Sequence, residues 1–396
     1  MSQLITQTWK ELCGIQIGGA ICLPVIMAGQ ALGQTYGLMT ALAAIVIGNI
    51  ILALMGMIAS RMSIAEKKTT VEHAKRYFGK KGSSLFAWIF IVVYSGWFAI
   101  QLDVMGLSMG KILEDYVSLN VSPLLNVALG LLITCVAMYG IQSMSLLSKV
   151  SVPILVLTIS YALLTIEKQD VALLPKASGL GAISIVLAIA IGAIVDLPNY
   201  FRHARSQKDG VRSILIIFGL ALPLIEISGV YLAHIHPSTN ILELFLHENA
   251  PIWNIWILCF LLLAGWTTNN TNLYSSSVCL HSIFPKIEAA VCTLVIGVAG
   301  TILSLLPLLE HFVTVLDILG VGISSMGAIM MVGYLLDERE SPYHYISLGI
   351  GILTGLLSTF HLIVLTEVPV LDAFLAGALS VLCIRMRRRY YVSNPS

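Results

Sequence analysis

Residues 12–34 read LCGIQIGGAICLPVIMAGQALGQ, a run from Leu12 to Gln34 without one charge and with Gly18-Gly19 and Pro24 near its middle. A helix of about 20 apolar residues crosses a bilayer core, so this run is long enough to span and is interrupted halfway. Backbone inside hydrocarbon must pair with itself; a break is tolerated only where neighbouring protein or a water-filled cavity takes the freed groups. A spanning helix that breaks at mid-depth therefore marks a candidate site. The same run is too long for a signal-peptide core and has no small-residue cleavage site, so it is expected to stay in the mature protein.

The rest of the chain repeats the pattern. Of its 396 residues 57% are apolar and 11% charged, with a mean hydropathy of +0.90; soluble domains lie nearer about half and about a quarter. Apolar runs bounded by charge or turn residues predict spans at 12–34, 36–59, 84–111, 122–140, 146–166, 178–200, 211–235, 252–282, 287–308, 311–336, 345–365 and 368–384. These twelve leave no room for a second sizeable soluble domain, so residues 1–396 form one polytopic all-α unit. A net charge of +1, with no basic run interleaved with aromatics, excludes a nucleic-acid binder. The seven cysteines, Cys13, Cys22, Cys135, Cys259, Cys279, Cys292 and Cys383, sit in apolar stretches without zinc or redox spacing and read as small core residues.

With both termini cytoplasmic, only Lys111, Lys168 and Lys176 fall outside, and the other 19 of the 22 Lys and Arg lie inside. That asymmetry supports an even number of spans. The 60–83 connection, with Val71, Ala74, Tyr77 and Phe78 among its basic residues, reads either as a solvated loop or as an amphipathic helix on the inner surface.

The sixth span carries Gly192 and Pro198 with Asp196 between them, a second expected break. Spans one and six hold corresponding places in two five-helix halves, and matched interruptions point to an inverted-repeat transporter with a midplane site. Packing and kinks also use such residues. The eighth span holds Trp266-Thr267-Thr268-Asn269-Asn270-Thr271-Asn272, a dense polar run. At about 100° per residue these side chains fan out, so adjacent ones serve different neighbours. Hydroxyls at Thr267 and Thr268 suit a small hard cation, and the Asn269 amide suits a heterocycle edge; a structural polar zipper is the competing reading. In span three, Trp97 and Gln101 share one helix face, a flat stacking surface beside a paired donor and acceptor, which a planar heterocycle requires. Core packing and a helix-to-helix hydrogen bond are the alternatives. The acids Asp103, Asp196, Glu226 and Asp317 are proton carriers, ion ligands, or structural pairs and caps. His234, His236 and His281 read as boundary residues.

At Gly96-Trp97-Phe98, at Trp266-Thr267-Thr268-Asn269 continuing to Asn272-Leu273-Tyr274, at Phe201-Arg202-His203-Ala204-Arg205 and at Ile47-Gly48-Asn49, the chain resembles the purine/cytosine permeases of the nucleobase:cation symporter-1 family, particularly the bacterial cytosine permease branch. The resemblance implies the LeuT-type fold: two inverted five-helix repeats, here about 12–166 and 178–336, plus two further helices at 345–384. It implies sodium held by carbonyls near Gly18 and Ile21 with the hydroxyls of Thr267 and Thr268. It places substrate contacts at Trp97, Gln101 and Asn269, with span six contributing near Ala190 to Gly192. Where cytosine permeases set aromatics against the base, this chain has Cys22 and Ala190 or Ile191. A family asparagine near the sodium site falls at Ala264, and the tenth-span Pro-Pro is Ser324-Ser325.

The expectation is a secondary active importer of a nucleobase or similar planar nitrogen heterocycle (cytosine, purine or hydroxymethylpyrimidine), coupled to Na+ or, through Asp196 or Asp103, to H+. Its implied setting is the bacterial cytoplasmic membrane, with no cofactor and no obligatory protein partner. A membrane enzyme is disfavoured by the missing metalloprotease, hydrolase and nucleotide-binding motifs; a receptor that binds without moving its ligand remains the other rival.

Overall fold

The protein is described by a computed structural model over residues 6–113, 120–139, 141–166, 179–236, 245 and 251–393. Lys168 and Lys176, two of the three cations expected outside, lie outside these residues. Among the described residues the architecture is all helical, with one isolated parallel bridge joining Gln7 to Ala204.

The helices are α1 (Trp9–Ala20), α2 (Leu23–Thr35), α3 (Leu38–Glu66), α4 (Thr70–Leu113), α5 (Ser122–Ala137), α6 (Ile141–Thr165), α7 (Gly181–Phe201), α8 (Gln207–Ile216), α9 (Leu222–Ile235), α10 (Pro251–Ile283), α11 (Ala289–Leu303), α12 (Phe312–Leu335), α13 (Tyr343–Thr359) and α14 (Pro369–Ser393). Each expected span contains helix. Eight segments are long and apolar enough to cross a membrane singly, and the bent pair α1 and α2 makes a ninth. The chain is a multi-pass membrane protein. The remaining three, α5, α11 and α13, are shorter, at 16, 15 and 17 residues.

Helix α3 shows why lipid is the solvent. Its buried face is rich in small residues, Ala41, Ala44, Gly48, Gly56 and Ala59, whereas Met39, Val46, Ile50 and Leu54 point outward. Small residues let helices approach closely where lipid offers no drive to hide leucine. The cysteines divide the same way. Cys13, Cys22, Cys279 and Cys292 are buried, but Cys135, Cys259 and Cys383 are exposed, so the core reading fails for three that a bilayer accommodates equally well.

Span one breaks as the sequence predicts. Pro24 has no N–H for the Ala20 carbonyl and its ring crowds that oxygen, so α1 ends at Ala20 and the chain restarts 61° away in α2. Cys22, extended at φ −142° and ψ 160°, makes the corner. Span six does not break. Helix α7 runs through Gly192, Asp196 and Pro198 to Phe201. Proline freed from one ladder bond is tolerated where neighbours hold the turn, and here Asp196 and Asn199 of that turn bind Ser275 and Thr70. Span seven is also irregular: a π-helical turn, Ile217–Ala221, joins α8 to α9 ahead of Pro223.

The 60–83 connection is partly helical, but its apolar face is not laid on lipid. Val71, Ala74, Tyr77 and Phe78 are buried in the protein, with Phe78 packed edge-on to His344 and Tyr345. Gly79, at φ 65° and ψ −170°, turns this segment into the rest of α4, and any Cβ there would meet the Glu340 carboxylate. The basic loops gather at one end. Arg76 pairs with Glu66 and Asp337, Lys67 donates to the Ala204 carbonyl, Gln207 to that of Arg61 and Arg385 to that of Leu336.

Candidate functional site

The break in span one opens onto a cavity of about 110 Å³ between α1, α2, α4, α7, the π turn and α10. Trp97, Cys22, Ala190, Gly192 and Thr268 line it, as do Asp196, Tyr94, Tyr200 and Phe218. Gln101, Asn269, Thr267, Gly18 and Ile21 are not part of its lining.

Trp97 is half-buried and offers its indole to the cavity from one face of α4. One turn earlier Tyr94 donates 3.0 Å to the Gly192 carbonyl, fixing α4 against α7. Gln101, one turn further on, is 2% exposed, and its Oε1 has no hydrogen-bond partner among the described residues. Asn269 faces α4: its amide donates 3.3 Å to the Phe98 carbonyl and its oxygen accepts 3.2 Å from Asn272, which does line the cavity. Four aromatic rings therefore line the space, three of them on spans three and six, where only Trp97 was singled out from sequence. The missed signal was helical spacing: Tyr94 stands three residues before Trp97 and Tyr200 four after Asp196, each one turn away on the same face.

Oxygen atoms converge beside the break. The Thr268 hydroxyl lies 3.0 Å from the Gly19 carbonyl and 2.9 Å from that of Ala264, and the Thr267 hydroxyl lies 3.0 Å from the carbonyls of Leu263 and Ala264. These are neutral hard donors of the kind a small alkali cation takes. The span-one carbonyl to which Thr268 is hydrogen-bonded is that of Gly19. Gly18 faces α6, where an added Cβ would lie 2.8 Å from Ser148 Oγ.

Asp196, 1% exposed, sits at the junction of three elements. It accepts from Ser275 on α10, from Asn199 at 2.5 Å and from Thr70 at 3.5 Å, while Thr70 N–H donates 3.0 Å to Asn199. Tyr200 closes the cluster, its hydroxyl 3.0 Å from Ser275 Oγ and 3.1 Å from the Thr271 carbonyl. The other acids stand apart: Asp317 accepts 2.9 Å from Ser184, Glu226 accepts 2.6 Å from Asn49, and Asp103 is on α4 away from the lining. His281 binds the Ile287 carbonyl at the end of α10, a boundary position.

A cavity at a broken membrane helix, walled by aromatics and flanked by a cluster of hydroxyl and carbonyl oxygens, is a site suited to a small polar ligand inside a membrane protein. A family model described as permease for cytosine/purines, uracil, thiamine, allantoin matches residues 5–341, and the chain belongs to that family. It is 24% identical to the cytosine permease of Escherichia coli K12 over 313 residues, 75% of this chain and 70% of that protein. Among solved structures it is similar to Mhp1, a nucleobase-cation-symport-1 family transporter held closed with bromovinylhydantoin bound, at a TM-score of 0.76 and 16% identity, covering 100% of this chain and 97% of that one. It is also similar to a Na+-coupled sialic acid symporter, at a TM-score of 0.71 and 14% identity, over 95% and 90% of the two chains. These likenesses define the LeuT-type fold.

Proposed function

We propose that this protein imports a nucleobase or related planar nitrogen heterocycle together with Na+, by rocking one helical repeat (about 12–166) against the other (about 178–336) around the cavity. The observation that carries this reading is the pairing of Trp97, a stacking wall of the cavity, with the Thr268 oxygen cluster at the break of span one. The heterocycle stacks on Trp97, and Gln101 and Asn269 meet its edge once the cavity adjusts around it. The unpartnered Gln101 Oε1 is an acceptor available for that contact. Na+ takes Thr268, Thr267 and carbonyls of span one. One cation moved inward down 100 mV contributes about 2.3 kcal/mol, before its concentration gradient is added.

A cytosine permease among the relatives and a hydantoin-bound transporter among the structures support a planar nitrogen ring as cargo; a Na+-coupled symporter of the same fold supports sodium. The position of Asp196 in the cavity wall favours a second reading, with H+ carried there in place of Na+. The working location is the bacterial cytoplasmic membrane with both termini inside. The test is uptake of radiolabelled cytosine, uracil, hypoxanthine, allantoin, hydantoin and hydroxymethylpyrimidine into sealed vesicles, with and without Na+ and at two pH values. Na+-dependent accumulation of one of them is expected; pH-driven accumulation without Na+ transfers the role to Asp196. Saturable binding without accumulation makes the protein a receptor.

A further inference from the structure

Glu226 on α9 and Asn49 on α3 meet away from the cavity, at 2% and 3% exposure. The Asn49 amide donates 2.6 Å to Glu226 Oε2 and 3.0 Å to the Ile45 carbonyl. Two oxygens of the same pair, Asn49 Oδ1 and Glu226 Oε1, have no hydrogen-bond partner among the described residues. The crevice that Glu226 lines with Ala28, Gly29, Leu32, Ile185 and Val186 has no room for a water molecule. These residues, from α2 and α7, carry no titratable or charged group, and α3 brings only the neutral Asn49. No ion pair reaches Glu226 among the described residues. Chain movement cannot easily relieve the site, because α2 and α9 touch backbone to backbone: a Cβ on Gly29 would run into the Glu226 carbonyl, and one on Gly229 into that of Ile26.

A buried carboxylate without a counter-charge is costly, and so is a buried acceptor without a donor. One proton removes both costs. Placed on Glu226 Oε1, it neutralises the acid and turns an unpartnered acceptor into a donor, while Asn49 Oδ1, on the residue already bonded to Oε2, is an acceptor without a donor. A protonated acid and an amide can pair through two complementary bonds, N–H to one carboxyl oxygen and O–H to the amide oxygen. We propose that Glu226 and Asn49 form a proton-binding site in which Glu226 is the protonated partner and the acid–amide pair ties span two to span seven. The site is separate from the cavity, and stands whichever cation and substrate the cavity takes.

Infrared difference spectroscopy on the full-length protein at neutral pH tests this. Wild type minus Glu226→Gln is expected to contain the carbonyl band of a protonated carboxylic acid that moves in D₂O, with no matching pair of carboxylate stretches. Glutamine supplies an N–H to Asn49 Oδ1, so E226Q is expected to keep the wild-type melting temperature. Asn49→Leu, which removes both bonds to the acid, should shift the same band upward; Glu226→Asp, which keeps a carboxyl group, should move the band without abolishing it. Where one variant does not accumulate, the other two still read the band. Carboxylate stretches in place of the acid band overturn the proposal. An acid band that is indifferent to Asn49→Leu also overturns it, by dissolving the pair.

Discussion

The Thr268 hydroxyl lies 3.0 Å from the Gly19 carbonyl, so span eight is hydrogen-bonded to the last helical turn before the break in span one. Both elements line the cavity. The oxygens of the bond are also those proposed for the cation. Thr268→Ala removes a side-chain oxygen that reaches both Gly19 and Ala264. Substrate affinity at limiting Na+ should fall by about 5- to 150-fold, the usual span of coupling between two sites, and recover at saturating Na+. Thr268→Ser, which keeps the hydroxyl, should stay near wild type. Unchanged affinity for the alanine variant at limiting Na+ would remove Thr268 from the ion site.

Trp97 supplies area where Gln101 supplies direction. Trp97→Ala should cost about 1–3 kcal/mol of ligand binding, by analogy with aromatic stacking on bases. Gln101→Ala should reorder affinities among heterocycles, because a lost edge contact penalises only ligands that use it. Calorimetry with two ring types on correctly inserted protein reads both. Na+ binding without substrate should survive each change.

Two glycines should respond oppositely to alanine. At Gly29 the new Cβ strikes the Glu226 backbone, which cannot swing aside, so Gly29→Ala should destabilise by about 1–3 kcal/mol. At Gly192 the nearest atom is the Tyr94 hydroxyl at 3.9 Å, and Gly192→Ala should leave the melting temperature at or above wild type. Its effect should fall on substrate affinity, because the added methyl group enters the cavity wall. A drop in melting temperature for both variants would contradict the packing described.

Asp196 accepts hydrogen bonds from Ser275, Asn199 and Thr70, so Asp196→Asn turns one acceptor into a donor facing donors. The expected loss is about 1–3 kcal/mol of stability for the stranded group. Under Na+ coupling the surviving transport should keep its Na+ dependence. Under H+ coupling the driven component should vanish while exchange of substrate across the membrane persists, and paired uptake and counterflow assays separate the two.

The loops after α3, α7, α12 and the C-terminal half of α14 are bonded to one another through Arg61, Lys67, Arg76 and Arg385. Reporters fused after Arg389 and inserted in the 202–206 turn should therefore read the same side, the cytoplasm, and one near Lys176 the opposite side. A split between the first two would break the twelve-span arrangement.

Hydropathy and proline position are properties of a single stretch of chain, which is why twelve spans and the break before Pro24 could be read before any packing was known. Proline removes its own N–H and crowds its own i−4 carbonyl, so the corner at Ile21-Cys22 is a local event. The same reasoning failed at Pro198, because the turn there is held by Thr70 and Ser275, 128 residues before it and 77 after. Which polar side chain faces the cavity was likewise beyond the sequence. Thr267, Thr268 and Asn269 are adjacent, and about 100° of rotation per residue sends them to different neighbours, so only Thr268 lines the space while Asn269 turns to Phe98. The pairing of Asn49 with Glu226, 177 residues apart, has no signature in either segment; it exists because α2 and α9 pack at backbone contact and leave α3 to meet the acid. Span and break were local and therefore legible. Partners were decided by which helices the fold brings together.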